Sequence, residues 1–171
     1  MRVLGVDPSL AGGCGLALVA GAAGALELMA HGERKAPKSG DVAGRIAALA
    51  AELDRIVERF TDSRLEPLVI AYEAAWLRRG PHENAQSMRK LSLVGGAVIG
   101  IAAARRLRVI EVQPAEGKLA LSGDSRADKQ QQIAAALQQF RAVLSEHEAD
   151  ALGVALHAAA VVARTTALAR K

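Results

Sequence analysis

Short apolar runs alternate along this chain with longer stretches in which apolar residues recur at helical spacing. Turn-forming residues bound the short runs, and several are rich in β-branched side chains, as is typical of buried strands. The predicted strands are 2–6, 14–20, 25–30, 68–72 and 108–112. Gly12, Gly13 and Gly15 allow a tight return after the first strand, so the first three strands are predicted to form an antiparallel meander. Residues 31–40 are predicted to be a loop.

Helical periodicity begins at Asp41, which can cap the start of a helix over 41–60. A capping-box spacing at Ser145 and Glu148 predicts another helix start. The further predicted helices are 82–106, a short helix after Pro114, 126–144 and 145–169. This order predicts one α/β domain over 1–171, built on a five-stranded mixed sheet. Three antiparallel strands come first, parallel strands follow, and helices flank both faces.

Hydrophobic residues make up 51% of the chain and aromatic residues 2%, so the core must be built mainly from aliphatic side chains. The apolar run 91–104 is shorter than the roughly 20 residues that a membrane span needs, and cations flank it. We therefore expect a buried helix there and no membrane association. The small residues Gly96 and Gly100 would let a second helix approach, in the core or across a dimer.

The formal net charge is +4 and the sequence pI is about 9.6, which favours a polyanionic partner. Cys14 is the single cysteine, so no intrachain disulfide can form. The first residues lead directly into a strand pattern and lack the pattern of a signal peptide. Together these features predict a cytoplasmic protein.

Two predicted strands end in an acidic residue, Asp7 and Glu73. In a parallel pair of strands, such positions meet at the carboxyl edge of the sheet. Carboxylates gathered there repel one another unless a divalent cation holds them. For either residue taken alone, a role in turn formation or solubility is the more common one.

The predicted helix at 145–169 carries a second group of candidates near its start. His147 and Asp150 are three residues apart and share a helix face, so both can point towards Asp7 and Glu73. Glu146, four residues before Asp150, also shares that face. The alternative interpretation is a solvated first turn, where acids favour a helix N-terminus.

These short motifs occur in the order found in the RuvC family of Holliday junction resolvases. Residues 3–8 resemble the start of that family, and Glu73 ends a strand as the second family acid does. Residues 125–130 are similar to its later basic motif, and 147–152 to its C-terminal acidic motif. The resemblance implies an RNase H-like fold and a homodimer that cuts four-way DNA junctions by paired symmetrical nicks. It also implies divalent metal and 5′-phosphate and 3′-hydroxyl products.

The resemblance assigns Asp7, Glu73, His147 and Asp150 as metal ligands and catalytic residues, with Lys129 as a further catalytic residue. Two Mg²⁺ or Mn²⁺ ions per active site would activate a water and stabilise the leaving 3′ oxygen. His147 fits the motif better than Glu146 does and stands where many relatives carry Asp. Because its imidazole supplies nitrogen, we expect Mn²⁺ to support activity at least as well as Mg²⁺.

The resemblance also predicts a set of DNA-binding residues. Lys118 and Lys129 match family lysines near the scissile phosphate, and Trp76 matches a bulky residue that pushes into the junction, where it can stack on a base. The alternatives are solvated lysines and a tryptophan packed on its own loop. The predicted DNA-binding residues are Trp76, Arg78, Arg79, Arg89, Lys90, Lys118, Arg126 and Lys129.

The chain departs from the family at Ser9, where most relatives have Gly, and in the loop 76–84. Because of these departures, the resemblance does not predict which junction sequence the chain prefers or whether it cooperates with a branch-migration helicase. No motif in the sequence indicates such a helicase partner. Two other functions are alternatives: an RNase H-fold nuclease acting on another branched DNA or on RNA, and a non-catalytic branched-DNA-binding protein. The chain is too short for the two domains of a sugar kinase, which also opens on a strand ending in Asp.

Overall fold

The structure is a computed structural model that describes residues 1–22, 24–61, 67–75 and 85–169. The strands are β1 (Arg2–Asp7), β2 (Cys14–Ala22), β3 (Ala25–Arg34), β4 (Leu68–Glu73) and β5 (Arg108–Val112). The helices are α1 (Val42–Phe60), α2 (Ala85–Ala104), α3 (Pro114–Ser122), α4 (Lys129–Phe140) and α5 (Glu146–Leu168).

The strands form one sheet in the order β3-β2-β1-β4-β5. Strands β1, β2 and β3 pair antiparallel, whereas β4 pairs parallel with both β1 and β5. This confirms the predicted five-stranded mixed sheet. Since Val6 lies opposite Tyr72 in the parallel pair, Asp7 and Glu73 end neighbouring strands at one edge, which we call the carboxyl edge.

Helices cover both faces of the sheet, as predicted. Val3 and Val69 belong to the apolar cluster that includes α5, whereas Leu4 and Ile70 pack with α1 and α2. Because side chains alternate between the faces of a strand, the odd-numbered residues of β1 and β4 face α5. Asp7 and Glu73 therefore both lie on the α5 face.

Helix α5 lies unusually close to the sheet. A Cβ atom added to Gly5 would lie 2.1 Å from the carbonyl oxygen of Ala151, and one added to Gly15 would lie 1.9 Å from that of His147. Any larger residue at these two positions would displace the helix. The glycines thus set the depth at which the first turns of α5 approach β1 and β2.

Strand β3 is longer than predicted, because the prediction ended it at residue 30 and assigned 31–40 to a loop. The strand continues through Arg34, and His31 pairs with Ala17. His31 and Glu33 both bond to side chains at the start of α5. A distant helix therefore stabilises this polar extension, which the local sequence pattern could not show.

Helix α4 is shorter at both ends than the predicted helix over 126–144. The side chain of Asp128 accepts a hydrogen bond from the backbone N–H of Gln131 at 2.9 Å, which starts the helix after Asp128. Arg141 adopts a left-handed conformation with φ 54° and ends it. The capping residue, and not the wider spread of helix-forming residues, decides the boundary.

Helix α2 was predicted over 82–106 with its apolar run 91–104 buried, and the outer face of α2 makes the prediction of burial wrong in part. Val94 and Val98 are buried against the sheet, but Leu93 and Ile99 on the outer face are 44% and 43% exposed. Residues 82–84 lie outside the described part of the chain. One face of α2 therefore belongs to the core, and the other is apolar and uncovered in the single chain.

Two helices, Ser87–Ala104 within α2 and Glu146–Leu168, are long and apolar enough to cross a membrane by length and composition alone. Both pack against the sheet. In α5 the apolar character has a direct explanation, because Leu152 and Val154 are fully buried in the core.

Candidate active site

An aspartate and a histidine meet at the carboxyl edge of the sheet. The ring nitrogen Nδ1 of His147 lies 2.6 Å from Oδ2 of Asp7, which is only 8% exposed. This hydrogen bond raises the pKa of His147 above its usual value. The β1–β2 loop lies against the ring, since a Cβ atom added to Gly12 would lie 2.5 Å from Nε2.

Asp150 lies one turn further along α5 and adds a second, partly buried carboxylate. Its Oδ1 accepts a hydrogen bond from Nε2 of Gln132 at 2.7 Å. Burial, followed by the negative charge of Asp7, raises the pKa of Asp150 to about 6. Burial and the charge of Asp7 therefore oppose the ionisation of Asp150, and a bound cation would relieve this effect.

Two lysines flank Asp150. Lys129 forms an ion pair with Glu146, and the charge of Asp150 further raises its pKa. Lys118 donates a hydrogen bond to the carbonyl oxygen of Ala127 at 2.8 Å, and its charge acts to lower the pKa of Asp150. The predicted pair of lysines is thus gathered beside the predicted carboxylate.

His147 and Glu146 were the two candidates for the fourth ligand, and they occupy different places. The imidazole of His147 contacts Asp7, whereas the carboxylate of Glu146 contacts Lys129. The geometry therefore favours His147 at the site and gives Glu146 another partner.

Glu73 ends β4 at the carboxyl edge and is partly exposed. Its side chain stands on the same face as Asp7 by strand alternation. In the described ranges, no three His, Cys, Asp or Glu side chains are arranged closely enough to hold a metal ion as they stand. His147 contacts Asp7, and the charge of Asp7 acts on Asp150, while Glu73 ends the neighbouring strand.

The predicted DNA-binding residues fall in two groups. Arg89 and Lys90, in the first turns of α2, border a groove whose apolar wall includes Val42 and Ile46 of α1. Arg126, Lys118 and Lys129 lie on the other side, around the α3–α4 connection, and Arg126 is exposed. The predicted contacts Trp76, Arg78 and Arg79 lie outside the described residues.

Two residues near the site were not predicted from the sequence. Glu33 accepts a hydrogen bond from the hydroxyl of Ser145, and its charge contributes to the raised pKa of His147. Gln132 contacts Asp150 from α4. No local sequence pattern pointed to Glu33. A pattern did point to Gln132, because it is a polar residue on the helix face that also carries the buried Ala136.

Comparison with known proteins agrees with this geometry. Residues 3–158 match the model of the family described as Crossover junction endodeoxyribonuclease RuvC. The chain belongs to the RuvC family. A RuvC protein of Frankia casuarinae is 34% identical over 160 residues, which cover 91% of this chain and 87% of that protein. One from Frankia alni is 36% identical over 132 residues, which cover 77% of this chain and 62% of that protein, less than two thirds of its length.

Solved structures show the same fold. The RuvC structure of Thermus thermophilus superposes with a TM-score of 0.75 at 27% identity and covers 97% of both chains. The T. thermophilus protein in complex with a Holliday junction substrate gives a TM-score of 0.78 at 24% identity over 97% of both chains. The yeast mitochondrial Holliday junction resolvase gives 0.65 at 12% identity, covering 99% of this chain and 84% of that one. The predicted RNase H-like fold and the predicted nuclease family are both confirmed.

Proposed function

We propose that this chain is a cytoplasmic resolvase that cuts four-way DNA junctions at the cluster of Asp7, His147 and Asp150. The observation that carries the proposal is the contact between His147 and Asp7 at the carboxyl edge of a RuvC fold, close enough to Asp150 for the charge of Asp7 to raise the pKa of that carboxyl group after burial. The T. thermophilus RuvC solved with a Holliday junction substrate supports the choice of DNA.

The donor set fits divalent cations. RuvC-family nucleases depend on divalent metal. Asp7, Glu73 and Asp150 offer the oxygen ligands that Mg²⁺ and Mn²⁺ favour, and His147 adds a nitrogen. Burial and the negative charge of Asp7 raise the pKa of Asp150, and a bound cation would favour its ionised form. Two bound ions per site would supply an activated water and charge stabilisation at the leaving oxygen.

The protein side chains would hold the substrate around these ions. Asp7 and Asp150 each use one oxygen for a protein hydrogen bond, so each keeps a second oxygen for a ligand. Lys129 is exposed, and its surface ion pair with Glu146 contributes little stability, so its ammonium group can turn to a phosphate oxygen at small cost. The expected products carry 5′-phosphate and 3′-hydroxyl ends.

A homodimer would provide the two active sites that paired nicks require. The outer face of α2 exposes Leu93 and Ile99, and Cβ atoms added to Gly96 or Gly100 would meet nothing within 4 Å. An apolar face with small residues allows a second helix to approach closely. We therefore assign this face to the contact between two copies of the chain.

A cleavage assay tests the function. Labelled four-way junctions, flaps and plain duplexes are incubated with the protein, and the products are mapped on both strands. We expect paired symmetrical nicks on junctions. Cleavage of flaps or RNA without cleavage of junctions would favour another RNase H-fold nuclease, and junction binding without cleavage would favour a non-catalytic binding protein.

A metal titration in the same assay tests the role of His147. Because imidazole nitrogen suits Mn²⁺ better than Mg²⁺, we expect Mn²⁺ to support cleavage at least as well as Mg²⁺. A strong preference for Mg²⁺ would contradict the assignment of His147 as a ligand.

A further inference from the structure

Gln132 is the most deeply buried polar side chain in the described part of the chain. It is 1% exposed and, with Asp7, is one of two buried polar or charged residues there. Its Nε2 donates to Oδ1 of Asp150 at 2.7 Å. Its own Oε1 has no hydrogen-bond partner among the described residues.

Core stability does not account for a glutamine at this position. A buried carbonyl oxygen without a partner costs folding free energy, and an apolar side chain of similar length would avoid that cost. Helices α4 and α5 have other contacts, since Ile133 and Ala136 pack in the cluster that contains Ala149 and Leu152. The hydrogen bond to Asp150 is therefore the distinctive contribution of Gln132.

This hydrogen bond fixes the orientation of the Asp150 carboxylate. One oxygen is held from the α4 side, so the second oxygen, Oδ2, is directed away from Gln132. Asp7 is arranged in the same manner, because His147 holds its Oδ2 and leaves its Oδ1. Among the described residues, each of these two carboxylates thus has one oxygen bound by a protein group and a second oxygen that can bind a ligand.

We propose that Gln132 is a positioning residue that holds the Asp150 carboxylate in the orientation that binds the divalent ion. The proposal rests on the proposed function, because Asp150 is a ligand only under that function. It concerns a residue that touches neither DNA nor metal and acts through Asp150 alone. Hydrogen-bond partners that orient metal ligands typically change metal affinity or activity about 10- to 100-fold when they are removed.

The test compares Gln132→Met with a control on the same helix, Gln139→Met. Methionine keeps the length of the side chain and removes both polar atoms. Gln139 lies about two turns further along α4 and donates to the carbonyl oxygen of Leu121 at 2.6 Å, outside the active-site residues described above. Each variant thus loses one glutamine hydrogen bond, but only the first variant loses the bond to Asp150.

Three quantities are measured for each protein: Tm in EDTA, Mn²⁺ affinity by electron paramagnetic resonance, and kcat and KM for junction cleavage. For Gln132→Met we expect Tm to stay the same or rise, Mn²⁺ affinity and kcat to fall about 10- to 100-fold, and KM to stay unchanged. For Gln139→Met we expect a lower Tm with unchanged Mn²⁺ affinity and kcat.

A Gln132→Met protein that loses Tm and kcat together and binds Mn²⁺ as wild type does would overturn the proposal. If Gln132→Met fails to fold, Gln132→Leu is measured in its place, and the same results are expected for it. If wild type cuts no junction, the proposed function fails, but the Mn²⁺ measurement still decides whether Gln132 orients Asp150. If wild type cuts junctions and both Mn²⁺ affinity and kcat survive in Gln132→Met, this inference fails alone.

Discussion

The two faces of the sheet are packed in different ways. On one face, α5 approaches β1 and β2 so closely that Gly5 and Gly15 leave no room for a Cβ atom. On the other face, α1 and α2 pack through larger aliphatic side chains, and Leu93 and Ile99 remain exposed beyond them. The proposed active site lies on the close face, whereas the proposed dimer contact lies on the open face.

Close backbone packing explains how the residues of the proposed active site come together. His147 reaches Asp7 because the backbone around it lies against Gly15, so no long side chain intervenes between helix and sheet. On the other face, Gly96 and Gly100 leave open space. Glycine therefore allows close backbone packing on one face and leaves open space on the other. Substitution of a glycine by alanine, which adds a single methyl group, tests each role.

The largest effect on the fold is expected from Gly15→Ala. The added methyl would lie 1.9 Å from the carbonyl oxygen of His147, so α5 must move away from β2. We expect the free energy of unfolding to fall by about 3 kcal/mol and cleavage to fall with it. Urea unfolding measures the first quantity, and unchanged stability would show that the close packing of α5 is not required.

A charge on the open face should act on assembly and not on the fold. We expect Ile99→Asp to weaken the dimer about 100-fold by burying an unpaired charge at the contact, with little change in secondary structure. Sedimentation velocity across a concentration series measures the dimer. Leu119→Asp on α3, which likewise places a charge at an exposed aliphatic residue, is the control and should leave the dimer intact. A dimeric Ile99→Asp protein would remove α2 from the interface.

The pKa of Asp150 gives a prediction for the close face. Its folded-state pKa of about 6 lies above the usual 3.8, so the neutral form is favoured in the fold. The corresponding stability is full below the unfolded-state pKa and is lost as pH rises through 6.

Asp150→Asn should therefore stabilise the metal-free protein at pH 7.5 by about 1–3 kcal/mol and have a smaller effect at pH 4.5. Urea unfolding in EDTA at both pH values checks this. A loss of stability at pH 7.5 would mean that the ionised carboxylate stabilises the fold.

The smallest effect is expected from Gly100→Ala on the open face. Because nothing lies within 4 Å of the added methyl in the single chain, the gain in helix propensity should stabilise the monomer by about 0.5–1 kcal/mol. Thermal unfolding at low protein concentration measures it. The same variant should weaken the dimer if a second helix packs against Gly100. Substitution of Gly15 should destabilise the fold, whereas substitution of Gly100 should stabilise the monomer and weaken only the dimer.

Much of the fold was predictable because it follows from local patterns. Asp7 stands out as an acid at the end of an apolar run, and His147 and Asp150 are linked by helical spacing and a capping box. The ends of β3 and α4 were predicted wrongly because their boundaries depend on contacts or caps that outweigh local propensity.

The contacts that support the site could not be predicted, because they join residues far apart in the sequence. Gln132 reaches Asp150, and Glu33 reaches Ser145, only after α4, α5 and β3 have assembled. For α2, the sequence left open whether a second helix approaches Gly96 and Gly100 in the core or across a dimer. A uniformly apolar sequence does not distinguish a helix buried in its own chain from one that is covered by a second copy.

The central claim is that α5 brings His147 and Asp150 to Asp7 to form a metal-dependent site that cuts junctions. The most direct test measures junction binding and junction cleavage together for wild type and Asp7→Asn in Mn²⁺. We expect both proteins to bind the junction with similar Kd, wild type to make paired nicks, and Asp7→Asn to make none. Cleavage by Asp7→Asn at a rate close to that of wild type would contradict the account.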